Sequence, residues 1–339
     1  MSSAISRLQA EGVSVWLEGP LTPPRSSERI RGLIDSGQAT GLRVTSPARL
    51  DPQLARWACD VLLPVYDRTA GNDGLVAVPV AAGPTPDAAA HVAAARALVR
   101  AAARPNLRVR VPATAAGVAA LPELLAEGIG VQVGPVFSPD RCHEVAEAHL
   151  AGLRRARQAG VDLATVDLGV EFAVGLLDTT IDTLLDKVGS DESKALRGRA
   201  SVAGARLAYQ VVKDRYDPVT SPRWAELAAA GARPQRLVWT SAYDGVPGRR
   251  ATRYIEELVA AGTVVALPVV ALDKVAREAE IVGARAHREH ECSQRVLDYL
   301  RWFGIRYTDV VSELEHTTTD QIPSPESRPA VVHKEPAHA

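Results

Sequence analysis

Cysteine is sparse in this 339-residue chain, and what there is does not pair up. Cys59, Cys142 and Cys292 are odd in number, far apart and without a C-x-x-C spacing, which argues against a disulfide framework and a zinc site and fits a reducing compartment. Charge of one sign is not in excess either. The 39 basic and 40 acidic residues leave a formal net charge of −1, so neither nucleic acid nor an anionic membrane is an expected partner. The opening MSSAISRLQAEG lacks the apolar stretch of a secretory signal, and no apolar run is long enough to span a bilayer. Histidine offers no metal cluster: His287, His290 and Cys292 are close together in HREHECSQ, but no second group accompanies them, and a solvated helix face is the simpler reading. No metal and no cofactor are expected. With 46% hydrophobic residues the chain can bury a sizeable core, and these absences together describe a soluble cytoplasmic protein.

What is present is a regular alternation of short apolar runs and helical segments. Strands are expected at 12–19 (GVSVWLEG), 41–45 (GLRVT), 74–80 (GLVAVPV), 107–113 (LRVRVPA), 128–137 (GIGVQVGPVF), 162–170 (DLATVDLGV), 236–242 (RLVWTSA) and 263–269 (TVVALPV). Between them lie helical stretches; one places Leu196, Ala200, Ala203, Leu207 and Val211 at spacings of three and four, an apolar stripe of helical period. Eight strands each followed by helix, without a composition break, predict an α/β protein of the (β/α)8 TIM-barrel type. Its length leaves room for extra helices around 180–235 and 275–315. The barrel is expected over residues 1–315. The segment 316–339, rich in Pro, Ser, Thr, His and charge, reads as a disordered tail.

The stretch NLRVRVPATAAG (106–117) poses a problem for that fold. Leu107, Val109 and Val111 alternate with Arg108 and Arg110, so both arginines share one face of a strand whose neighbours are helical. A parallel strand between helices is covered on both faces, so the arginines must point into the barrel. An unpaired buried charge costs several kcal/mol, on the order of 3–5. Inward carboxylates are therefore expected, and two stand at strand ends: Glu18 in VSVWLEG and Glu171 in VDLGVEF. The expectation is a polar cluster of Glu18, Arg110 and Glu171 near the C-terminal mouth, with Arg108 one layer deeper in a structural role. The glycines and Arg249–Arg250 of DGVPGRR, after the seventh strand, have the composition of a phosphate-cradling loop, although an ordinary surface loop has it too.

Several of these segments resemble the transaldolase family over roughly residues 5–312. AEGVSVWLEG resembles the family's opening strand, and ARPNLRVRVPATAAGVAALPELLAEGIGVQV resembles its RPNLMIKIPAT…LAEGINVNVT segment. FSPDRCHEVAEAHLAGLRR, ALRGRASVAGARLAYQ and RWAELAAAGARPQRLVWTS follow the family too. The resemblance implies a barrel and, in the family, a lysine that forms a Schiff base with a ketose phosphate. At that position this sequence has Arg110, whose guanidinium stays protonated and cannot serve as an amine nucleophile. The other implied site positions differ as well. Glu18 replaces an aspartate, Ser46 an asparagine, Pro79 a glutamate, Gly134 a threonine, Glu171 a serine and Leu176 an arginine; Ser241 of WTSAYDG is retained from the phosphate site, without the lysine that follows it in the family. The chain has five lysines, Lys187, Lys194, Lys213, Lys274 and Lys334, and none is at a strand end.

These departures support three functional readings. The first is a barrel without Schiff-base activity, a pseudoenzyme acting as a binding or regulatory partner of a protein in sugar-phosphate or related metabolism. The second is a repurposed enzyme on a small polar metabolite, with Glu18 and Glu171 as acid and base and Arg110 stabilising an anion. The third is a weak transaldolase acting on sedoheptulose 7-phosphate and glyceraldehyde 3-phosphate in the pentose phosphate pathway. A small polar or phosphorylated metabolite at the mouth, touching Ser46, Ser241, Arg249 and Arg250, is compatible with all three.

Overall fold

Eight strands pair in parallel and in chain order, and the last pairs with the first to close a barrel. They are β1 (Ser14–Gly19), β2 (Gly41–Val44), β3 (Val76–Pro79), β4 (Leu107–Val111), β5 (Gly130–Val136), β6 (Leu168–Ala173), β7 (Arg236–Thr240) and β8 (Val264–Pro268). The computed structural model describes residues 3–21, 25–45, 51–80, 87–243, 250–286 and 290–320. Helices follow the strands and pack on their outer face. Their starts use the expected chemistry: the side chains of Asp87, Thr114 and Ser138 each accept a hydrogen bond from a backbone N–H of the first turn. Extra helices lie where the sequence has room for them, among them Ala200–Arg215 and His290–Trp302.

Two departures from the expected elements have local causes. The sixth strand begins at Leu168 rather than Asp162, because Leu163–Thr165 forms a 3-10 turn capped by the Asp162 carboxylate on the Ala164 N–H. The last helix, Tyr307–Asp320, runs past residue 315, the expected end of the barrel. At that point Glu315 is tied to Arg141 at 2.8 Å. Residues 321–339 of the expected tail lie outside the described residues.

The apolar residues divide into shells. Val15, Leu17, Leu42, Val44, Val76, Val78, Val109, Val111, Val131 and Val133 face outward into the large core shared with the helices. Inside the barrel the apolar set is small: Trp16, Ala77, Val238, Val264 and Ala266 with Leu75. Most of the remaining interior positions of the strands carry polar groups or glycine; Pro79 and Pro268, level with Arg110 and Glu18, carry proline. Among the described residues no helix is long and apolar enough to cross a membrane.

Glycine is required where the interior is most crowded. A Cβ on Gly41 would lie 2.4 Å from the indole of Trp16, which is itself fully buried. Gly41→Ala is therefore expected to destabilise the fold by about 1–3 kcal/mol, the usual cost of overpacking a filled core. Urea denaturation checks this, and an unchanged midpoint would show that the indole has room to move.

Candidate functional site

The alternation on β4 turns Arg108 and Arg110 into the barrel, and the arginines find their partners on other strands. The Arg110 Nε donates to Glu171 Oε1 at 2.6 Å and an Nη to Glu171 Oε2 at 3.1 Å. Its other Nη donates to the Val44 carbonyl at 2.9 Å. Arg43, inward on β2, reaches the same carboxylate at 2.8 Å and Glu18 at 3.1 Å. Gln132 on β5 completes the ring by donating its amide to Glu171 Oε1 at 2.7 Å. Glu171 thus accepts four hydrogen bonds, two on each oxygen, which exhausts its lone pairs. Room for this comes from β5 and β6: a Cβ on Gly134 would lie 2.5 Å from that of Glu171.

The cluster differs from the expected one in its wiring. Glu18 is paired with Arg43, not Arg110, so the mouth holds two arginines and two glutamates rather than one arginine between two acids. The reason is register: Glu18 and Arg43 are direct neighbours on adjacent strands, whereas Arg110 lies two strands further round. Arg43 was legible by the rule that singles out Arg108 and Arg110, since it sits between Leu42 and Val44 in a barrel strand. Gln132, between Val131 and Val133, carries the same signal.

One layer down, Arg108 is fully buried. It pairs with Asp167, donates to Gln132 at 3.4 Å and lies 5.1 Å over the Trp16 ring. A second pair, Arg236 with Asp73 at 3.2 Å, sits beside it and shares Ser14. Neither acid of this layer features in the expected cluster.

The two mouth carboxylates are electrostatically unlike. Burial alone would raise Glu171, but Arg110 and Arg43 outweigh it and hold the carboxyl well below the usual range. Burial pushes the Glu18 carboxyl above its ordinary value, and the single hydrogen bond from Arg43 only partly opposes this. Burial and the nearby Arg43 lower Arg110, while Glu171 and Glu18 raise Arg43 against its own burial. Glu171 is therefore held as an anion, whereas Glu18 is the carboxylate of the cluster whose charged form burial disfavours.

The other candidate residues are more scattered. Ser241, just after β7, takes a left-handed backbone (φ +52°), a conformation a non-glycine residue adopts at some cost. Arg250 pairs with Glu256 at 3.0 Å and Glu280 at 3.2 Å and is half exposed, so its charge is already neutralised at the surface. Ser46, Arg249 and His287 lie outside the described residues. Among the described residues no three His, Cys, Asp or Glu side chains are grouped to hold a metal. Lys187, Lys194, Lys213 and Lys274 are all exposed, and Lys334 lies outside the described residues.

Comparison with known proteins gives a consistent picture. Residues 42–322 match the model of the transaldolase/fructose-6-phosphate aldolase family. A transaldolase of Thermobifida fusca is 42% identical over 266 residues, covering 78% of this chain and 72% of that protein. A transaldolase of Acidothermus cellulolyticus is 35% identical over 345 residues, covering 93% and 92%. Transaldolase 1 of Streptomyces avermitilis is 35% identical over 341 residues, covering 92% and 89%.

The wiring makes the stability of the cluster measurable. Arg110→Met removes one of the two cations facing Glu171 and is expected to destabilise by about 3–5 kcal/mol; pairing it with Glu171→Gln should recover part of that loss, because the stranded anion goes too. Chemical denaturation of the two single variants and the double variant gives the coupling directly, and strict additivity would contradict the pair. The pH dependence carries a definite sign. Glu171 has a folded pKa below its unfolded one, so its stabilisation is complete above the ordinary carboxylate range and is lost as pH falls toward the folded value. The stability gap between the unaltered chain and Glu171→Gln should thus narrow from about pH 6 to about pH 3.

Proposed function

The chain belongs to the transaldolase/fructose-6-phosphate aldolase family, and from that premise we propose that it is a transaldolase-like barrel without Schiff-base activity. It acts in the cytoplasm as a binding or regulatory partner in sugar-phosphate or related metabolism, taking up a small polar metabolite at the mouth.

The observation that carries this reading is Arg110. It occupies the position of the family's lysine, it is held by both oxygens of Glu171, and a guanidinium in that setting is neither nucleophilic nor free to become so. No described lysine offers a substitute, since all four are exposed on helices. Pro79 and Gly134 add to it: where the family has a glutamate and a threonine, neither residue has a side chain that can move a proton. The phosphate site is thinned in the same way by Leu176.

One feature favours the repurposed-enzyme reading as a second possibility. Glu18 sits at the mouth with a raised carboxyl, beside two guanidinium groups that would stabilise a developing anion. In that reading Glu18 alone does acid and base work, because Glu171 is locked as an anion.

Borohydride reduction in the presence of fructose 6-phosphate separates these readings from an active transaldolase. No covalent adduct is expected by intact mass, and Arg110→Lys alone is expected to give no turnover, because its proton-transfer partners are missing as well. A stable mass increase mapped to any lysine of the unaltered chain would overturn the proposal. Transaldolase activity in Arg110→Lys would show that the lysine alone separates this site from an active one.

A further inference from the structure

The floor of the barrel, at the opposite end from the mouth, holds a cavity of about 290 Å³. It opens beside the N-terminal ends of β6, β7 and β8, where Asp167, Arg236 and Thr263 lie, and is walled on one side by the end of the helix Ala200–Arg215. Barrel enzymes work at the other face, so nothing in the mouth cluster accounts for this cavity.

Its charges are unevenly matched. Asp167 is neutralised by Arg108, and Arg236 by Asp73. Lys213 and Arg233 remain. Lys213 is exposed and has no carboxylate partner among the described residues, and Arg233 is tied only to the Ala70 carbonyl, at 2.6 Å. The cavity therefore presents two positive charges that the protein itself does not cancel. Its wall combines apolar and aromatic surface, from Val212, Leu237 and the rings of Tyr209 and Tyr216, with the uncharged polar side chains of Asn72, Gln235 and Thr263.

A second observation points the same way. Gln235 lines the cavity, is 3% exposed, and its amide nitrogen has no hydrogen-bond partner. The other end of that amide accepts from the Tyr216 hydroxyl at 3.3 Å, which is in turn 2.8 Å from the His149 ring. A buried donor left without an acceptor costs about 1–3 kcal/mol, and a ligand oxygen would remove that cost.

We propose that the floor cavity binds a small organic anion, its phosphate or carboxylate head between Lys213 and Arg233 and a ring or short apolar body against Tyr209, Val212 and Leu237. The volume is at the low end for a ligand site, which suits a molecule of a single ring rather than a nucleotide. The site is separate from the mouth and does not depend on whether the mouth is catalytic.

Isothermal titration of the full chain with phenyl phosphate and with benzoate tests this and distinguishes the two head groups. Saturable one-to-one binding of at least one of them is expected, with inorganic phosphate and phenol each weaker because each supplies half of the match. Lys213→Ala and Arg233→Ala should each weaken binding by about tenfold, as expected for the loss of one charged contact worth about 1.4 kcal/mol. Lys274→Ala, which removes a lysine that does not line the cavity, should leave binding unchanged. Lys213 is exposed on a helix, so its variant is expected to retain the fold, which circular dichroism checks. Absence of saturable binding by either probe at millimolar concentration overturns the proposal. So does binding that is indifferent to both Lys213→Ala and Arg233→Ala, since it would lie elsewhere.

Discussion

The carboxylate of Glu171 is the point on which the interior of this barrel depends. Two guanidinium groups, from β2 and β4, and one amide, from β5, converge on its two oxygens, and the group is completely buried. A closed parallel barrel leaves its interior little water, so an arginine there must be answered by protein. Removing Glu171 would leave Arg110 without a carboxylate and Arg43 with Glu18 alone; removing either arginine would leave the carboxylate underpaired. The strands that meet here accommodate the crowding with glycine: a Cβ on Gly169 would fall 2.7 Å from Arg108 and 3.1 Å from Gln132.

This arrangement bears directly on chemistry. Where the family resemblance implies an amine ready to attack a carbonyl, the present chain has a quartet of two arginines and two glutamates paired with one another. Three of its four members are locked by mutual pairing. Glu18 is the exception, with one hydrogen bond and a carboxyl raised by burial.

The polar interior also continues downward. Gln132 bridges Glu171 to Arg108, Arg108 pairs with Asp167, and Asp167 borders the floor cavity. Each link is a side chain held by at least one charged neighbour, so the mouth and the floor are the two ends of one hydrogen-bonded column. Trp16 supports it from the side, offering a ring face to Arg108 in place of a further carboxylate.

Much of the fold is legible in the chain itself. Apolar alternation marks seven of the eight strands to within a few residues, because strand periodicity is a local property; the sixth shifts because a capped turn at Asp162–Thr165 looks extended by composition alone. The inward direction of Arg108 and Arg110 is local too, following from alternation and from helices on either side, as is the lack of a lysine where the family resemblance implies one. The pairing of charges is not local. Arg43 and Glu171 are 128 residues apart, and only the register of a closed barrel decides that Glu18 is answered by Arg43 while Arg110 turns to Glu171. The same holds for the floor, where Lys213 and Arg233 become neighbours of one cavity because a helix end and a strand entrance meet there. Sequence determined which residues had to be buried with charge; tertiary structure alone decided which charges meet, since that depends on strand order and register around the ring.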